Sequence, residues 1–146
     1  RQGKPAVLTY QREVAERLVA EAGTTEYGRL SVGAQHYADV RIQEIIPPEA
    51  FDPKPAVESA IVSLAPREPD YDVPDPEAFF AIVKALFTQR RKTLRNAIRN
   101  TTHISGIEDS AAVIDSLPEP LLGKRPDAVS PGEFAHVATI VADVDG

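Results

Sequence analysis

The chain has 146 residues, of which 42% are hydrophobic and 26% charged, as is typical of a globular protein with one modest domain or two small ones. It contains no cysteine, which excludes disulfides, thiolate metal sites and thiol nucleophiles. A formal net charge of -6 argues against a uniformly basic nucleic-acid binder. No apolar run approaches the length of a membrane span, so we expect a cytoplasmic protein.

The first part of the sequence alternates strand and helix patterns. Residues 6–9 are short and apolar, which is typical of a buried parallel strand. Val14, Leu18 and Ala22 form the apolar stripe of a helix that we expect Gly23 to end. Residues 30–38 fit a short helix, and residues 39–46 and 57–64 fit two strands. About ten residues join these strands, too few for a crossover helix, so antiparallel neighbours are expected.

Gln11 and Arg12 stand where the first strand passes into the helix. Open α/β sheets bind ligands at the carboxyl ends of their strands, so these residues are candidates for lining a substrate cleft. A solvated helix start explains them equally well. The residues alone leave both interpretations open.

Phe51 is an isolated aromatic residue between the two predicted strands. Pro47 and Pro48 end the first strand, and Pro53 and Pro55 each fix a φ angle in the loop that follows. A stiff loop therefore presents one aromatic ring. The ring either plugs the edge of the sheet or serves a ligand.

Proline and acidic residues are interleaved at residues 67–76, which indicates a semi-extended linker. We therefore expect one domain at 1–66 and a second, helical domain at 77–146. In the second domain, an unbroken helix would place the charge of Arg90 in an apolar arc. We predict instead a helix that ends near Thr88 and another that begins near Arg90 or Arg91.

The rest of the second domain gives weaker helical patterns. Residues 104–117 have loosely helical apolar spacing. Ser130, Pro131 and Glu133 have the spacing of a capping box with proline at the first helical position, so a last helix should begin there.

Between Glu77 and Glu108 there is no acidic residue, and cations cluster in that interval. On the predicted second helix Arg91, Arg95 and Arg99 form a stripe at spacing i, i+4, where like charges repel. A solvated face is one interpretation, and a phosphate backbone bound by guanidinium groups is the one we favour. The predicted RNA-binding residues are Arg90, Arg91, Lys92, Arg95, Arg99 and Arg29. For Arg29 an ion pair with Glu26 is the alternative that we slightly prefer.

Four blocks of the sequence resemble the family of ribosomal RNA small-subunit adenine-N6,N6-dimethyltransferases, in its archaeal form. The most specific is Phe51-x-Pro-x-Pro-x-Val-x-Ser. The others are the runs Gln-Arg-Glu-Val-Ala-Glu-Arg-Leu from Gln11, Tyr-Gly-Arg-Leu-Ser-Val from Tyr27 and Phe-Thr-Gln-Arg-Arg-Lys-Thr-Leu-Arg-Asn from Phe87. The resemblance is strong over residues 5–100 and weak beyond.

The resemblance implies the C-terminal half of a Rossmann-like methyltransferase domain followed by a small helical domain. It implies S-adenosylmethionine as the cofactor, an adenine flipped out of its stack as the acceptor, and small-subunit ribosomal RNA or the pre-ribosomal small subunit as the partner of a monomer. It places Phe51 beside the adenine pocket, and we assign Gln11 to the same pocket.

Two family signatures are missing from the sequence: a Gly-x-Gly loop after a strand and an Asn-Leu-Pro-Tyr tetrapeptide. Both precede Arg1 in the family order, so we expect a fragment with no catalytic or cofactor-binding residues of its own. The histidines have no metal-ligand spacing, and no metal is expected. The alternative is a non-catalytic nucleic-acid-binding module of the same fold.

Overall fold

The computed structural model describes residues 4–146, which divide into two compact units. The first unit runs to Glu21 and resumes over Glu26–Pro69, and the second consists of Ala22–Thr25 and Asp70–Gly146. The elements are β1 (Ala6–Gln11), α1 (Arg12–Val19), α2 (Arg29–Tyr37), β2 (Ala38–Ile46), β3 (Ser59–Pro66), α3 (Pro76–Leu86), α4 (Leu94–Asn100), α5 (Thr102–Ser105), α6 (Ser110–Ser116), α7 (Glu119–Leu122) and α8 (Pro131–Asp145). Short 3-10 turns lie at Pro48–Ala50, Phe87–Gln89 and Pro126–Ala128.

The first unit is mixed α/β, with a sheet of order β1-β3-β2. The predicted antiparallel pairing of the two strands around Phe51 is confirmed, with a bulge between Ile42 and Glu44. The interpretation of β1 as a buried parallel strand is wrong, because β1 is antiparallel to β3 and leaves Val7 67% exposed. An apolar run does not specify strand direction, since the partner strand lies some fifty residues further on.

Helix α1 packs on one face of this sheet through Ala15, which joins Ala60 and Val62 in the core. The helix ends at Val19, so the prediction that Gly23 ends it is wrong. Instead of a glycine cap, the side-chain amide of Gln35 donates to the carbonyl oxygens of Leu18 and Ala20, at 3.0 Å and 2.7 Å. A side chain from α2 thus satisfies backbone groups at the end of α1.

The second unit is helical, and its predicted helix break is confirmed. Helix α3 ends at Leu86 and is followed by the 3-10 turn. However, α4 begins at Leu94, so the predicted start at Arg90 or Arg91 is wrong. Thr93 is the N-cap of α4, since its hydroxyl accepts a hydrogen bond from the backbone N–H of Asn96 at 3.4 Å. The capping residue, not the end of the apolar arc, sets the helix start.

The remaining helices enclose a core built around Phe79, Phe134 and Leu94, each fully buried. Residues 104–117 are not one helix, because Gly106 adopts a φ of +80° between α5 and α6. The capping box at the start of α8 is confirmed: the Ser130 hydroxyl accepts from the N–H of Glu133, and the Glu133 carboxylate accepts from the N–H of Ser130. Among the described helices none has the length and hydropathy of a membrane span.

Candidate nucleic-acid interface

In the first unit, Gln11 is the last residue of β1 and Arg12 the first of α1. Gln11 is exposed, and its side chain makes no capping hydrogen bond to α1. The amide of Gln11 is therefore not committed to the helix start. It offers one acceptor and two donors at the carboxyl end of a strand.

A cavity of about 330 Å³ lies beside Gln11. Its lining residues are Gln11, Arg12, Glu13, Glu16, Val57 and Glu58. The only cationic group in this lining is Arg12, whose guanidinium lies 2.9 Å from Glu58 and 3.8 Å from Glu16. With more carboxylates than cations, the lining repels a bare phosphate and favours a neutral polar group.

Phe51 lies in the segment that joins β2 to β3, here called the Phe51 loop (residues 47–58). The ring is 38% exposed. The loop is held by a hydrogen bond from the Phe51 N–H to the Pro48 carbonyl, at 3.2 Å, and by an ion pair of 3.4 Å between Lys54 and Glu49. Phe51 does not line the cavity beside Gln11, so the structure does not bring the two predicted adenine-pocket residues into one cavity.

In the second unit, the predicted cations differ in what already binds them. Arg90 is half-buried, with its guanidinium carbon 5.3 Å from the centre of the Phe87 ring and its Nη2 3.4 Å from the Thr25 carbonyl oxygen. Arg91 and Lys92 are exposed in the turn between α3 and α4. Within residues 4–146 neither side chain has an ion-pair partner.

The expected stripe of Arg91, Arg95 and Arg99 on one helix is wrong, because Arg91 precedes α4. Arg95 is bound by Glu119, and Arg99 donates to the Asn96 side-chain oxygen at 3.3 Å. The sequence interval from 78 to 107 holds no carboxylate, but α7 supplies one from outside it. Charge counted along the sequence missed a partner 24 residues away.

Arg125 is a further exposed cation, and it lies outside the basic interval of the sequence. The backbone N–H of Leu94 donates to the Lys124 carbonyl at 2.7 Å, so the segment that carries Arg125 lies against the start of α4. The Lys124 amine is bound to Glu133 at 2.9 Å, whereas Arg125 makes no ion pair in the described part of the chain. The sequence signal was the adjacent pair of cations after Gly123, outside the basic interval.

Arg29 belongs to the first unit, where it is the exposed first residue of α2. The preferred ion pair with Glu26 does not form in the described chain. That interpretation is wrong, and the helix start is held instead by Ser31, whose hydroxyl accepts from the Gly28 N–H and donates to the Arg17 carbonyl.

His36 is buried, and burial lowers its pKa, with the positive charge of Arg67 acting in the same direction. His103 and His136 are exposed. Over residues 4–146, no three histidine, aspartate or glutamate side chains are arranged to hold a metal ion.

A family model described as "Ribosomal RNA adenine dimethylase" matches residues 1–115. A protein of Natronomonas pharaonis named "Probable ribosomal RNA small subunit methyltransferase A" is 61% identical over 98% of this chain and 52% of its own length. Proteins of the same name from Halobacterium salinarum and Methanococcoides burtonii are 58% and 42% identical, over 98% and 92% of this chain and 51% and 50% of theirs. The chain thus spans about half the length of the curated relatives it matches.

Two solved structures share the fold. A dimethyladenosine transferase from Plasmodium falciparum superimposes with a TM-score of 0.78 at 22% identity, covering 96% of this chain and 57% of that one. The 23S rRNA methyltransferase ErmE gives a TM-score of 0.55 at 21% identity, covering 95% and 55%. At these identities the likeness indicates the fold alone.

Proposed function

The chain belongs to the ribosomal RNA adenine dimethylase family, and from this premise we propose that it is part of an enzyme that dimethylates adenine N6 in small-subunit ribosomal RNA. The observation that carries the proposal is the extent of the family match, since residues 1–115 include both the Phe51 loop and the cations at 90–99. The names of the halophilic and methanogenic relatives support the same substrate.

We further propose the arrangement of the whole protein. Residues 1–66 are the C-terminal part of a Rossmann-like methyltransferase domain, 67–76 a linker and 77–146 a helical RNA-binding domain. Support comes from the mixed α/β first unit, the helical second unit and a boundary after Pro69, inside the proposed linker. Because the relatives are about twice as long, the proposed enzyme has a further half that this chain does not supply.

For the acceptor base, Phe51 provides an exposed ring on which an unstacked adenine can stack. Gln11 provides a side-chain amide that can pair with the donor and acceptor of an adenine edge. Phe51 itself does not line the cavity beside Gln11, but Val57 and Glu58 of the Phe51 loop do, and this supports assigning both residues to one base. The acidic lining beside Gln11 favours the neutral base over its phosphate. The residues of this chain thus act by holding and orienting the base.

For the RNA backbone, the proposed contacts are Arg90, Arg91, Lys92, Arg95, Arg99 and Arg29. Arg91 and Lys92 are exposed without an ion pair in the described chain, and Arg125 joins them from a neighbouring segment. Arg95 can reach a phosphate only by leaving Glu119. Guanidinium groups suit phosphate because their N–H groups contact two oxygens at once.

S-adenosylmethionine, which the family implies, would supply the methyl groups. The residues described here do not fit a site for it. Nucleotide-type cofactors are held at glycine-rich turns between a strand and a helix. Within residues 4–146, the only place where a strand passes directly into an α-helix is Gln11 to Arg12, which has no glycine. The two described glycines of positive φ, Gly23 and Gly106, both follow helices.

We also propose that the enzyme acts in the cytoplasm as a monomer on the pre-ribosomal small subunit. The relatives' name, which specifies the small subunit, supports this partner. A non-catalytic nucleic-acid-binding module is the outcome to be excluded.

The test uses the intact gene product, S-adenosylmethionine with a labelled methyl group, and small subunits whose adenines are unmodified. We expect N6,N6-dimethyladenosine in the small-subunit RNA by mass spectrometry, and no label in large-subunit RNA. Binding of the subunit without label transfer would instead establish the non-catalytic module. The 146-residue chain alone should give no heat of binding when titrated with S-adenosylmethionine.

A further inference from the structure

Arg12 and Glu58 are joined twice, once through the backbone and once through the side chains. The Arg12 N–H donates to the Glu58 carbonyl oxygen at 2.9 Å, and the Arg12 guanidinium donates to the Glu58 carboxylate, also at 2.9 Å. The two residues are 46 positions apart in the sequence. The link therefore connects two distant segments of the first unit.

The backbone bond extends the ladder between β1 and β3 by one residue. Gln11 pairs with Ser59, and the next pair along the strands is Arg12 with Glu58. It also satisfies the first N–H of α1, which has no acceptor within its own helix and receives no side-chain cap from Gln11. The start of the helix is thus fixed by the last residue of the Phe51 loop.

The side chains of the Arg12–Glu58 ion pair are 45% and 44% exposed, so the pair contributes little to folding stability and a role other than folding is needed to explain it. Both line the cavity beside Gln11. We propose that Arg12 and Glu58 are positioning residues, which hold the end of the Phe51 loop in a fixed register with Gln11 when adenine binds. This proposal rests on the proposed function and assigns to the pair no contact with the reacting atoms.

Nearby carboxylates compete for the guanidinium of Arg12. Arg12 is also 3.8 Å from Glu16, so its guanidinium lies within reach of two carboxylates and is nearer to Glu58. Without the Glu58 carboxylate, Arg12 is free to turn toward Glu16, one helical turn away on α1. Without Arg12, the cavity lining keeps only carboxylates as charged groups, and Glu58 is repelled from the start of α1.

The experiment compares Glu58→Gln, Arg12→Gln and the double exchange Arg12→Glu with Glu58→Arg. All three leave the backbone hydrogen bond possible, so the start of α1 is preserved. Arg41→Gln is the control, because Arg41 forms an ion pair of 3.1 Å with Asp39 in the same unit and neither of these two residues lines the cavity. Hydrogen exchange of residues 47–58 is measured in the 146-residue chain, and methylation of small subunits in the intact gene product.

We expect each single variant to raise the rate of amide exchange in the Phe51 loop. Each should also lower kcat about tenfold and leave the KM for the subunit unchanged, because a misplaced substrate loses reaction rate before it loses affinity. The double exchange should recover most of both losses, and the control should change neither. Unchanged kcat and loop exchange in the single variants would overturn the proposal, as would a loss that the double exchange fails to recover. If the proposed function itself is wrong, the result differs from these outcomes, because the wild-type protein then transfers no methyl group, whatever the rate of amide exchange in its loop.

Discussion

One guanidinium nitrogen of Arg95, Nη2, lies 2.7 Å and 2.6 Å from the two carboxylate oxygens of Glu119. The Arg95 side chain is 35% exposed and that of Glu119 is 80% exposed, so solvent reaches the pair. Exposed pairs of this kind contribute about 0 to 1 kcal/mol. A phosphate can therefore displace Glu119 at small cost, and until then the Arg95 guanidinium stays bound to that carboxylate.

The first prediction concerns this competition. Glu119→Gln should tighten RNA binding and make its salt dependence steeper by about 0.7 to 0.9 in log K against log salt, the contribution of one released counterion. The measurement is RNA affinity over a series of salt concentrations. Asp115→Asn is the control, because Asp115 is exposed and has no ion-pair partner in the described chain. This substitution changes the net charge by the same amount as Glu119→Gln. An equal effect of both variants would mean that only net charge matters.

The second prediction concerns the cations without partners. Changing Arg91, Lys92 and Arg125 together to Gln should weaken RNA binding and reduce the salt slope by about two to three, since each lost phosphate contact removes close to one counterion. Arg41→Gln is the control, because Arg41 is already paired with Asp39 at 3.1 Å on β2. A triple variant that keeps the wild-type slope would show that these side chains form only a solvated surface.

The third prediction separates the two interpretations of Phe51. Its ring is 38% exposed, so Phe51→Ala should lower the free energy of unfolding by much less than the loss of about 3 to 5 kcal/mol that is typical of a buried phenylalanine. Stacking of a base is worth about 1 to 3 kcal/mol, so methylation by the intact gene product should fall roughly ten- to a hundredfold.

Thermal melts and single-turnover methylation on the same proteins test this. Phe51→Tyr keeps the ring and should be nearly silent, whereas Phe51→Leu keeps apolar bulk without the ring and should behave like alanine. A large drop in melting temperature with normal chemistry in the folded fraction would restore the sheet-plug interpretation.

The fourth prediction is a pH dependence of folding stability from His36. Burial and the charge of Arg67 lower its pKa in the folded chain from the usual 6.5. Below pH 6.5 the unfolded chain therefore takes up a proton that the folded chain refuses, and stability falls until the pH passes the folded pKa. Glu133, whose pKa is also lowered, affects stability only below its usual 4.5.

Urea midpoints between about pH 7.5 and pH 5.5 measure the His36 effect. His36→Gln should flatten the fall over this range, while His103→Gln, which removes an exposed histidine, should leave it unchanged. A fall of the same size in the His36 variant would assign the effect to another group.

The sequence predicted correctly those features of the fold that depend on residues close together in the chain. The Ser130 capping box, the break after α3 and the antiparallel strands around Phe51 each depend on a few adjacent side chains or on loop length, and each was predicted correctly. What failed depends on distant partners. The direction of β1 is set by β3, the end of α1 by Gln35 and the state of Arg95 by Glu119.

The same distinction applies to the candidate site. Spacing selected Phe51, Arg91 and Lys92 as candidates, because a stiff loop and a basic run are visible in the sequence, and their roles remain predictions. It did not identify Arg125, whose relation to α4 depends on the hydrogen bond from Leu94 to the Lys124 carbonyl. Nor did it predict that Glu58 and Arg12 would pair across the end of the sheet.

Ala22–Thr25 group with the second unit although residues 26–69 return to the first. The Gly23 N–H donates to the Asp127 carbonyl at 2.6 Å, and the Thr25 carbonyl accepts from Arg90. During synthesis from the amino terminus, this short segment leaves the ribosome long before its neighbours exist. The helical unit therefore cannot close around it until Arg90 and Asp127 have been synthesised, and a protein cut after Pro69 would yield a carboxyl-terminal piece that lacks these contacts.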